Sequence, residues 1–241
     1  MQKLPGETLL AALFIAAGFG AAGFFISQTL YNSEVGVNVA EVRGLAERRV
    51  EADTAFWVIS YSLADRARDN LPKLYERSAQ AETRIVDLLT SQGLAPTDIT
   101  TGVLDFSYRE YRNQNQELID EKYVVHGSVS VETSNVHLVP KLRAALNQLV
   151  AEGLNITNQQ PRYLYTRLND IKPEMLREAT QNARAAATEF AVNAGVQVGG
   201  IRTARQGNFV IRDVGSDYGD SNRIQKTVRV VTTTSFFLTS S

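Results

Sequence analysis

Cysteine is absent from the sequence, and histidine occurs only twice, as His126 and His137. The absence of cysteine excludes disulfide bonds, thiolate nucleophiles and zinc sites built on cysteine ligands. Neither histidine has a second metal-binding side chain at ligand spacing, so we interpret both as surface residues. Ser128 and Ser130 have no nucleophile-elbow sequence around them, and no glycine-rich phosphate-binding motif occurs. We therefore expect no catalytic residues, no cofactor and no metal, in a protein that is not an enzyme.

An excess of either charge is also absent, because 25 lysines and arginines are balanced by 26 aspartates and glutamates. Proteins that bind nucleic acid usually carry a basic excess or a basic stripe on one face. We therefore predict no nucleic acid partner. The sequence identifies no small-molecule ligand.

The N-terminal region contains an apolar run at residues 9–26, LLAALFIAAGFGAAGFFI, in which eighteen residues carry no charge, amide or hydroxyl. With its flanks this run would rise roughly 34 Å as a helix, enough to cross a hydrocarbon core about 30 Å thick. We predict a transmembrane signal-anchor helix at 9–30, which places residues 9–30 in the lipid bilayer. Residues 1–8 then form a short cytoplasmic head, 31–36 a hinge and 37–241 the folded body.

The flanking charges predict the orientation of this helix. Lys3 precedes the apolar run, and the next basic residue after it is Arg43, which favours a cytoplasmic N-terminus and a body on the outer side. Gly20-Ala21-Ala22 fits the small-residue rule for signal cleavage, but the apolar run continues to Ile26. We therefore predict an uncleaved anchor, with a secreted protein released by signal cleavage as the alternative.

Small residues recur every four positions in the anchor, at Ala12, Ala16 and Gly20. Such a face lets helices approach closely in lipid, so we predict that these residues pack against a second helix. The alternative is that alanine and glycine are simply common in membrane helices.

Three helices in the body have recognisable start and stop signals. The starts are at Asp69-Asn70, Ser134-Asn135 and Asp170, and the ends are at Gly93, Gly153 and Gly195. We predict that side-chain oxygens cap the starts and that the glycines take positive φ at the ends.

Strands fill the spaces between these helices in the order ββα, ββα, βα, ββ. The predicted strands are 37–45, 50–64, 99–111, 122–133, 155–168, 200–212 and 223–238. Alternating side chains in 50–64 and 122–133 predict half-buried strands. The strands 99–111 and 122–133 flank the polar stretch RNQNQELIDE, which predicts a long hairpin. Gly44 is predicted to end the first strand before a turn at 47–49, and Gly199-Gly200 to form a turn. Hairpins in place of regular crossovers predict an α+β fold with antiparallel sheets and three main helices, preceded by the transmembrane helix.

The strand ends and hairpin tips supply the candidate contacts. The loop 213–222, DVGSDYGDSN, has three acids whose spacing differs from an EF-hand, so a solvated hairpin tip is favoured over a calcium site. We predict that strand 223–238 exposes an edge that a second copy can complete. The predicted oligomer contacts are Tyr111, Asn115, Tyr218 and Phe236.

Several short motifs occur in a characteristic order. They are the strand ending in Gly44, the strand Ala52 to Ser62, the helix ending in Gly93 with Asp98-Ile99-Thr100-Thr101 after it, the strand Tyr123 to Val131 through Gly127, the turn Gly153-Leu154-Asn155-Ile156, and the Ala-rich helix ending in Gly195-Val196-Gln197-Val198-Gly199. Together they resemble the SIMPL-domain family of bacterial envelope proteins over about residues 37–239. The usual glycine-x-glycine after the first strand is replaced here by Arg43-Gly44-Leu45-Ala46.

The resemblance implies an α+β body in the periplasm or at the cell surface, assembly into large rings or cages, and an association with envelope stress. It implies no catalytic residues. With the predicted anchor, it places the chain in the bacterial inner membrane as a single-pass protein with a periplasmic body. A ring-forming homo-oligomer is therefore the first functional hypothesis, and a periplasmic ligand-binding module or cryptic hydrolase, with a cleft between the sheet and the third helix, is the alternative.

Overall fold

The computed structural model describes residues 6–30, 38–216 and 218–240. Residues 1–5 of the predicted head and the whole predicted hinge, 31–36, lie outside this part. The helices are α1 (Gly6–Leu30), α2 (Leu71–Ser91), α3 (Val139–Ala151) and α4 (Leu168–Asn193). The strands are β1 (Val39–Glu51), β2 (Thr54–Asp65), β3 (Ile99–Thr101), β4 (Asp105–Arg112), β5 (Leu118–Thr133), β6 (Asn155–Asn158), β7 (Arg162–Leu164), β8 (Val196–Gln206), β9 (Val210–Asp213) and β10 (Gln225–Ser240).

The strands form two sheets. In the six-stranded sheet the order is β3-β5-β2-β6, with β4 also paired to β5 and β7 also paired to β2, and every pairing is antiparallel. In the four-stranded sheet the order is β1-β10-β8, with β9 also paired to β10. The predicted α+β class, with antiparallel sheets and three main helices after an apolar N-terminal helix, is confirmed.

The chain divides into two compact units. Unit 1 comprises residues 1–46, 174–208 and 230–241, and unit 2 comprises 47–173 and 209–229. The core of unit 2 lies between one face of the six-stranded sheet and helices α2 and α3. Its fully buried members include Trp57, Ile59, Val129, Val131, Ile85, Leu89, Leu142 and Leu146. The predicted alternation of buried and exposed residues in β2 and β5 is therefore confirmed.

In unit 1, α4 buries a face made of small residues. The buried positions recur every four residues, at Met175, Ala179, Ala183, Ala187 and Ala191. A Cβ added to Gly44 of β1 would overlap the backbone carbonyl oxygen of Ala179. The prediction that β1 ends at Gly44 was wrong, as was the turn at 47–49, because the glycine serves close helix approach in mid-strand and not chain reversal.

The glycines that end the helices behave as predicted. Gly93, Gly153 and Gly195 have φ values of 100°, 92° and 70°. After α2, the Leu94 N–H donates to the Leu89 carbonyl at 3.1 Å, while the Gly93 N–H donates to the Thr90 carbonyl. These two hydrogen bonds together form the Schellman motif, which recurs after α3.

The helix starts differ from the prediction. Asn70 makes no side-chain cap bond at α2, and α3 begins only at Val139, again without a side-chain cap. The α4 helix begins at Leu168, and the N–H groups of Thr166 and Arg167 just before it donate to the carboxylate of Asp53. Asp53 therefore fixes the segment just before α4, from a position 113 residues away from Thr166.

Two smaller predictions also need correction. The single strand predicted at 155–168 is two short strands, β6 and β7, that pair with different parts of β2. The turn predicted at Gly199-Gly200 lies inside β8, which runs without interruption to Gln206.

Gly44→Ala tests the close approach of α4 to β1. The new methyl group would displace helix backbone, so we expect a loss of about 1–3 kcal/mol in the free energy of unfolding. Gly200→Ala is the control in the same unit, because an added Cβ there meets nothing within 4 Å. Urea denaturation of the two variants and the parent chain measures the difference, and equal midpoints for Gly44→Ala and the parent would contradict the packing.

Candidate interaction surface

The β4–β5 hairpin extends beyond the rest of its sheet. β2 pairs with β5 only from Tyr123 to Thr133, so the first residues of β5 have β4 as their one partner in the described chain. Residues 109–122 therefore form a two-stranded arm. At its tip the Asn113 side-chain oxygen accepts the N–H groups of Asn115 and Glu117, each at 2.9 Å, which fixes the turn. The long hairpin predicted around the polar stretch is confirmed.

One edge of β4 is open. β4 pairs with β5 on one side, and no strand in the described ranges pairs with its other side. Its unpaired N–H and C=O groups can accept a further strand. The edge predicted at 223–238 was wrong, because β10 is an interior strand with β1 on one side and β8 and β9 on the other.

Aromatic rings cover one face of this region. The Phe106 and Tyr123 rings stack with centroids 6.4 Å apart, and those of Tyr108 and Tyr123 are 5.0 Å apart. Phe106 and Tyr108 remain 40% and 42% exposed. Two hollows of about 320 and 380 Å³ adjoin these rings. Their lining residues are Leu71, Pro72, Tyr75 and Phe106 in the first and Arg68, Leu71, Phe106, Tyr108 and Tyr123 in the second.

Carboxylates hold the tyrosines in place. The Tyr108 hydroxyl lies 2.8 Å from Glu121 Oε2 and 3.0 Å from Glu110 Oε1, and the Tyr123 hydroxyl lies 3.2 Å from Glu121. The hydrogen bond to Glu121 raises the pKa of Tyr108. The guanidinium of Arg112, bonded to Glu110, lowers the pKa of that carboxyl. The hydroxyls of Tyr108 and Tyr123 therefore stay protonated at neutral pH and donate to these carboxylates, which orients the two rings.

Two of the four predicted contact residues lie on the arm. Tyr111 is exposed on β4, with the Lys122 ammonium 5.7 Å from its ring centroid, and Asn115 is exposed at the tip. Tyr218 is 90% exposed in a different loop, between β9 and β10. Phe236 is fully buried in unit 1, so its prediction as a surface contact was wrong; it belongs to the inward-facing set of alternate residues on β10.

The α1 helix is exposed along its described side chains. Leu10–Leu30 is long and apolar enough to cross a membrane, and none of it is buried against the rest of the chain. Ala12, Ala16 and Gly20 share one face of this helix, and a Cβ at Gly20 would meet no atom within 4 Å. Packing of a second helix on this face stays a prediction.

A buried ion pair joins β9 and β10 beside the acidic loop that connects them. Asp213 and Lys226 are cross-strand partners, 3% and 0% exposed, with Oδ1 and Nζ 2.5 Å apart. Burial raises the pKa of Asp213, but hydrogen bonds from Lys226 and the Asn222 N–H outweigh it and hold the pKa below its usual value. The carboxylate of Asp213 is therefore paired with Lys226, and Asp213 is not a solvated tip residue. Asp217 lies outside the described residues.

The histidines have ordinary partners. His126 Nε2 lies 3.2 Å from Ser107 Oγ, and His137 Nε2 lies 3.2 Å from Glu51. Hydrogen bonds from His137 and then Gln225 lower the pKa of Glu51. Within residues 6–30, 38–216 and 218–240, no group of three histidine or acidic side chains is arranged to hold a metal ion.

A groove lies beside α4 in unit 1, where the cleft hypothesis expects one. Its cavity volume is about 370 Å³. Helix α4 contributes Leu176, Arg177, Thr180, Gln181 and Arg184, and the sheet contributes Ile201 and Phe236. The Thr180 hydroxyl is already bonded to the Leu176 carbonyl. The remaining polar groups belong to the long side chains of Arg177, Gln181 and Arg184.

The family model named SIMPL, described as a protein of unknown function (DUF541), matches residues 40–234. The chain belongs to the SIMPL family. This confirms the resemblance drawn from the motif order, and the family's description assigns no activity. No curated protein shows significant similarity to the chain.

Three solved structures with partial likeness to this SIMPL protein are remote. They include a protein described as an aminohydrolase from methicillin-resistant Staphylococcus aureus (12% identity, 59% of this chain and 39% of that chain covered, TM-score 0.23) and an amidase of the hydantoinase/carbamoylase family from Burkholderia multivorans (16%, 56% and 32%, TM-score 0.24). A third is described as an amidohydrolase/peptidase from Burkholderia cenocepacia (14%, 60% and 36%, TM-score 0.22). The chain spans less than two-fifths of each, and the likeness carries no functional argument.

Asp213→Asn tests the buried ion pair. The substitution leaves the Lys226 charge buried without a carboxylate, so we expect a loss of about 3–5 kcal/mol in the free energy of unfolding. Asp120→Asn is the control, because Asp120 pairs with Arg66 in an exposed ion pair whose loss costs less than about 1 kcal/mol. Urea denaturation at neutral pH measures both.

The same pair predicts a pH dependence. A carboxyl whose folded pKa lies below its unfolded value of about 3.9 stabilises the fold above that pH. The contribution disappears as the pH falls through the folded pKa. The stability difference between the parent and Asp213→Asn therefore shrinks in acid below about pH 4, and a difference that is constant down to the lowest pH at which both fold would contradict the assignment.

Proposed function

We propose that this SIMPL protein is a non-enzymatic, membrane-anchored envelope protein that assembles through its body into a large ring-like or cage-like homo-oligomer. The open edge of β4, flanked by exposed aromatic rings, is the observation that carries the proposal. A soluble monomer usually protects such an edge with a covering element, a proline, a bulge or charged side chains. β4 has no proline and, in the described chain, no covering strand, and its register irregularity lies at its end, between Tyr111 and Arg112. Its charged side chains alternate with the exposed rings of Phe106 and Tyr108.

The α1 helix supports the membrane part of the proposal. Its exposed apolar surface would be unfavourable in water along its whole length, and lipid is the environment that removes this cost. The charge asymmetry around it favours a cytoplasmic N-terminus and a periplasmic body in the bacterial inner membrane. An anchor of this kind also confines all copies to one surface with a common orientation, which raises their effective concentration.

The ring itself rests on symmetry and on the family resemblance. Most soluble homo-oligomers have closed symmetry, and a head-to-tail contact between identical chains gives a closed ring when its rotation closes. Anchoring on one side would align the ring axis with the membrane normal. The link to envelope stress comes from the resemblance alone.

A second function, that of a periplasmic ligand-binding module or cryptic hydrolase, is favoured by the groove beside α4. Its volume falls in the range of small-molecule sites. Its polar groups are two arginines, a glutamine and a threonine from one helix, without an acid–base pair or a nucleophile beside a base. This arrangement suits binding better than hydrolysis. Self-assembly remains the first proposal.

The mass of the full-length protein in detergent tests self-assembly. We expect particles several times heavier than the 26.6 kDa chain at micromolar concentration, measured by light scattering with the detergent contribution subtracted. Phe106→Ser with Tyr108→Ser removes the aromatic rings beside the edge, and we expect lighter particles. Phe190→Ser is the matched control, because Phe190 is an exposed aromatic on α4 in unit 1, whereas β4 belongs to unit 2. A strictly monomeric parent protein rules out assembly and favours the binding module.

The N-terminus of the mature protein tests the anchor. We expect intact mass spectrometry of protein extracted from bacterial membranes to show residues 1–30 retained, because the apolar run continues beyond the small-residue site at 20–22. Alkaline carbonate washing is expected to leave the protein in the membrane pellet. A soluble protein beginning near Gly23 would instead establish the secreted alternative.

A further inference from the structure

We infer that β4 of one copy pairs antiparallel with β4 of a second copy, about a two-fold axis that passes between Ser107 of the two copies. The inference rests on the proposed self-assembly and specifies the partner strand and its register. The sequence of β4, DFSYREYR, is the main support, because charges and aromatic rings are complementary when the two strands pair about Ser107.

A two-fold axis perpendicular to the sheet restricts the registers available. The axis passes midway between one residue, called here the residue on the axis, and the same residue of the second copy, and residues equally far along the strands on either side lie opposite each other. Opposite residues then point to the same face of the joined sheet. Choosing the residue on the axis therefore fixes every cross-strand pair.

With the axis at Ser107, the side chains up to two positions away on either side each lie opposite a suitable partner. Asp105 lies opposite Arg109 of the second copy, and by symmetry this pair occurs twice. Phe106 lies opposite Tyr108 of the second copy, also twice. Opposite charges and aromatic pairs are both favourable across an antiparallel pair. Asp105 and Arg109 are exposed and have no ion pair in the portion of the chain that is described, so both charges are available.

The neighbouring registers lack this complementarity. An axis through Arg109 or through Glu110 sets a charged side chain opposite its own copy, which is unfavourable. An axis through Tyr108 sets Phe106 opposite Glu110. An axis through Phe106 sets Arg109 opposite the apolar Val103. Of the axes at residues 106 to 110, the one at Ser107 sets both opposite charges and aromatic rings against each other within two residues of the axis. An axis at Tyr111 would join Glu110 to Arg112, but these two side chains already pair within one copy.

The pairing would also cover exposed apolar surface. On one face, the Phe106, Tyr108 and Tyr123 rings of the two copies would form one continuous aromatic layer. Beyond the five paired residues, Tyr111 of the second copy would reach the irregular segment 102–104, where Val103 is 95% exposed. The contact closes on itself at two copies, so a larger ring requires a second, different contact.

Single-cysteine variants of the full-length protein in membranes test the register, because the parent chain has no cysteine. A residue on the axis lies about 4.5–5.5 Å from its own copy, within disulfide range. A residue one position away is about 8 Å from its copy, which is too far to bridge. After mild oxidation we expect a disulfide dimer for Ser107→Cys and none for Tyr108→Cys or Arg109→Cys.

A mixed pair of variants gives an independent readout that leaves Ser107 and its bond to His126 unchanged. Asp105→Cys and Arg109→Cys alone would not cross-link, but their coexpression would give a mixed dimer. Charge reversal adds a solution measurement: Asp105→Arg is expected to weaken association at least about tenfold. Adding Arg109→Asp to it restores the opposite charges and is expected to recover the parent affinity.

The outcomes separate this inference from the proposed function. An assembled parent protein whose cysteines cross-link at another residue of β4, or at none, overturns the register and leaves assembly intact. A charge reversal that the double variant does not rescue also overturns it. A parent protein that is monomeric in detergent and in membranes overturns both. Circular dichroism of each variant excludes a loss of fold as the cause.

Discussion

The pairing of β5 with β2 is the interaction on which the rest of unit 2 depends. Eleven residues of β2, Ala55 to Asp65, pair with β5, and their inward side chains make the core beneath α2 and α3. β5 is longer than β2, so its N-terminal end continues without β2 and has β4 as its partner. The length difference thus creates the arm, and the open edge arises because no strand in the described chain pairs with the other side of β4. The candidate surface is a geometric consequence of the sheet that stabilises the core.

Local signals in the sequence predict local structure well. The alternation in β2 and β5, the long hairpin, and the positive φ of Gly93 and Gly153 all depend on residues close together in the chain. Features set by distant residues were missed. Gly44 was read as a strand end because the packing of α4 on it is not visible in the local sequence. Asp53 likewise gives no local sign that it accepts the N–H groups of Thr166 and Arg167. Lys226 likewise gives no sign of its pairing with Asp213.

The candidate surface was predicted only in part, for the same reason. Tyr111 and Asn115 follow from the hairpin, which is local, and both lie on the arm. Whether a strand lies at an edge depends on the pairing of all the strands in its sheet. β10 was therefore mistaken for an edge strand, although other strands pair with both of its sides. No motif distinguishes an interior strand from an edge strand when both alternate. The aromatic rings of β4 indicate a contact surface only once the structure shows that one side of this strand is unpaired.

The proposal joins two features of the described chain, an exposed apolar helix and the open edge of β4 with its exposed aromatic rings. As proposed, lipid would cover the helix and further copies of the chain would cover the edge. Electron microscopy of full-length protein extracted from membranes tests this most directly. The account predicts closed particles built of many copies, with the apolar helices gathered on one side. Images that show only single chains, each with its own detergent belt, would contradict it.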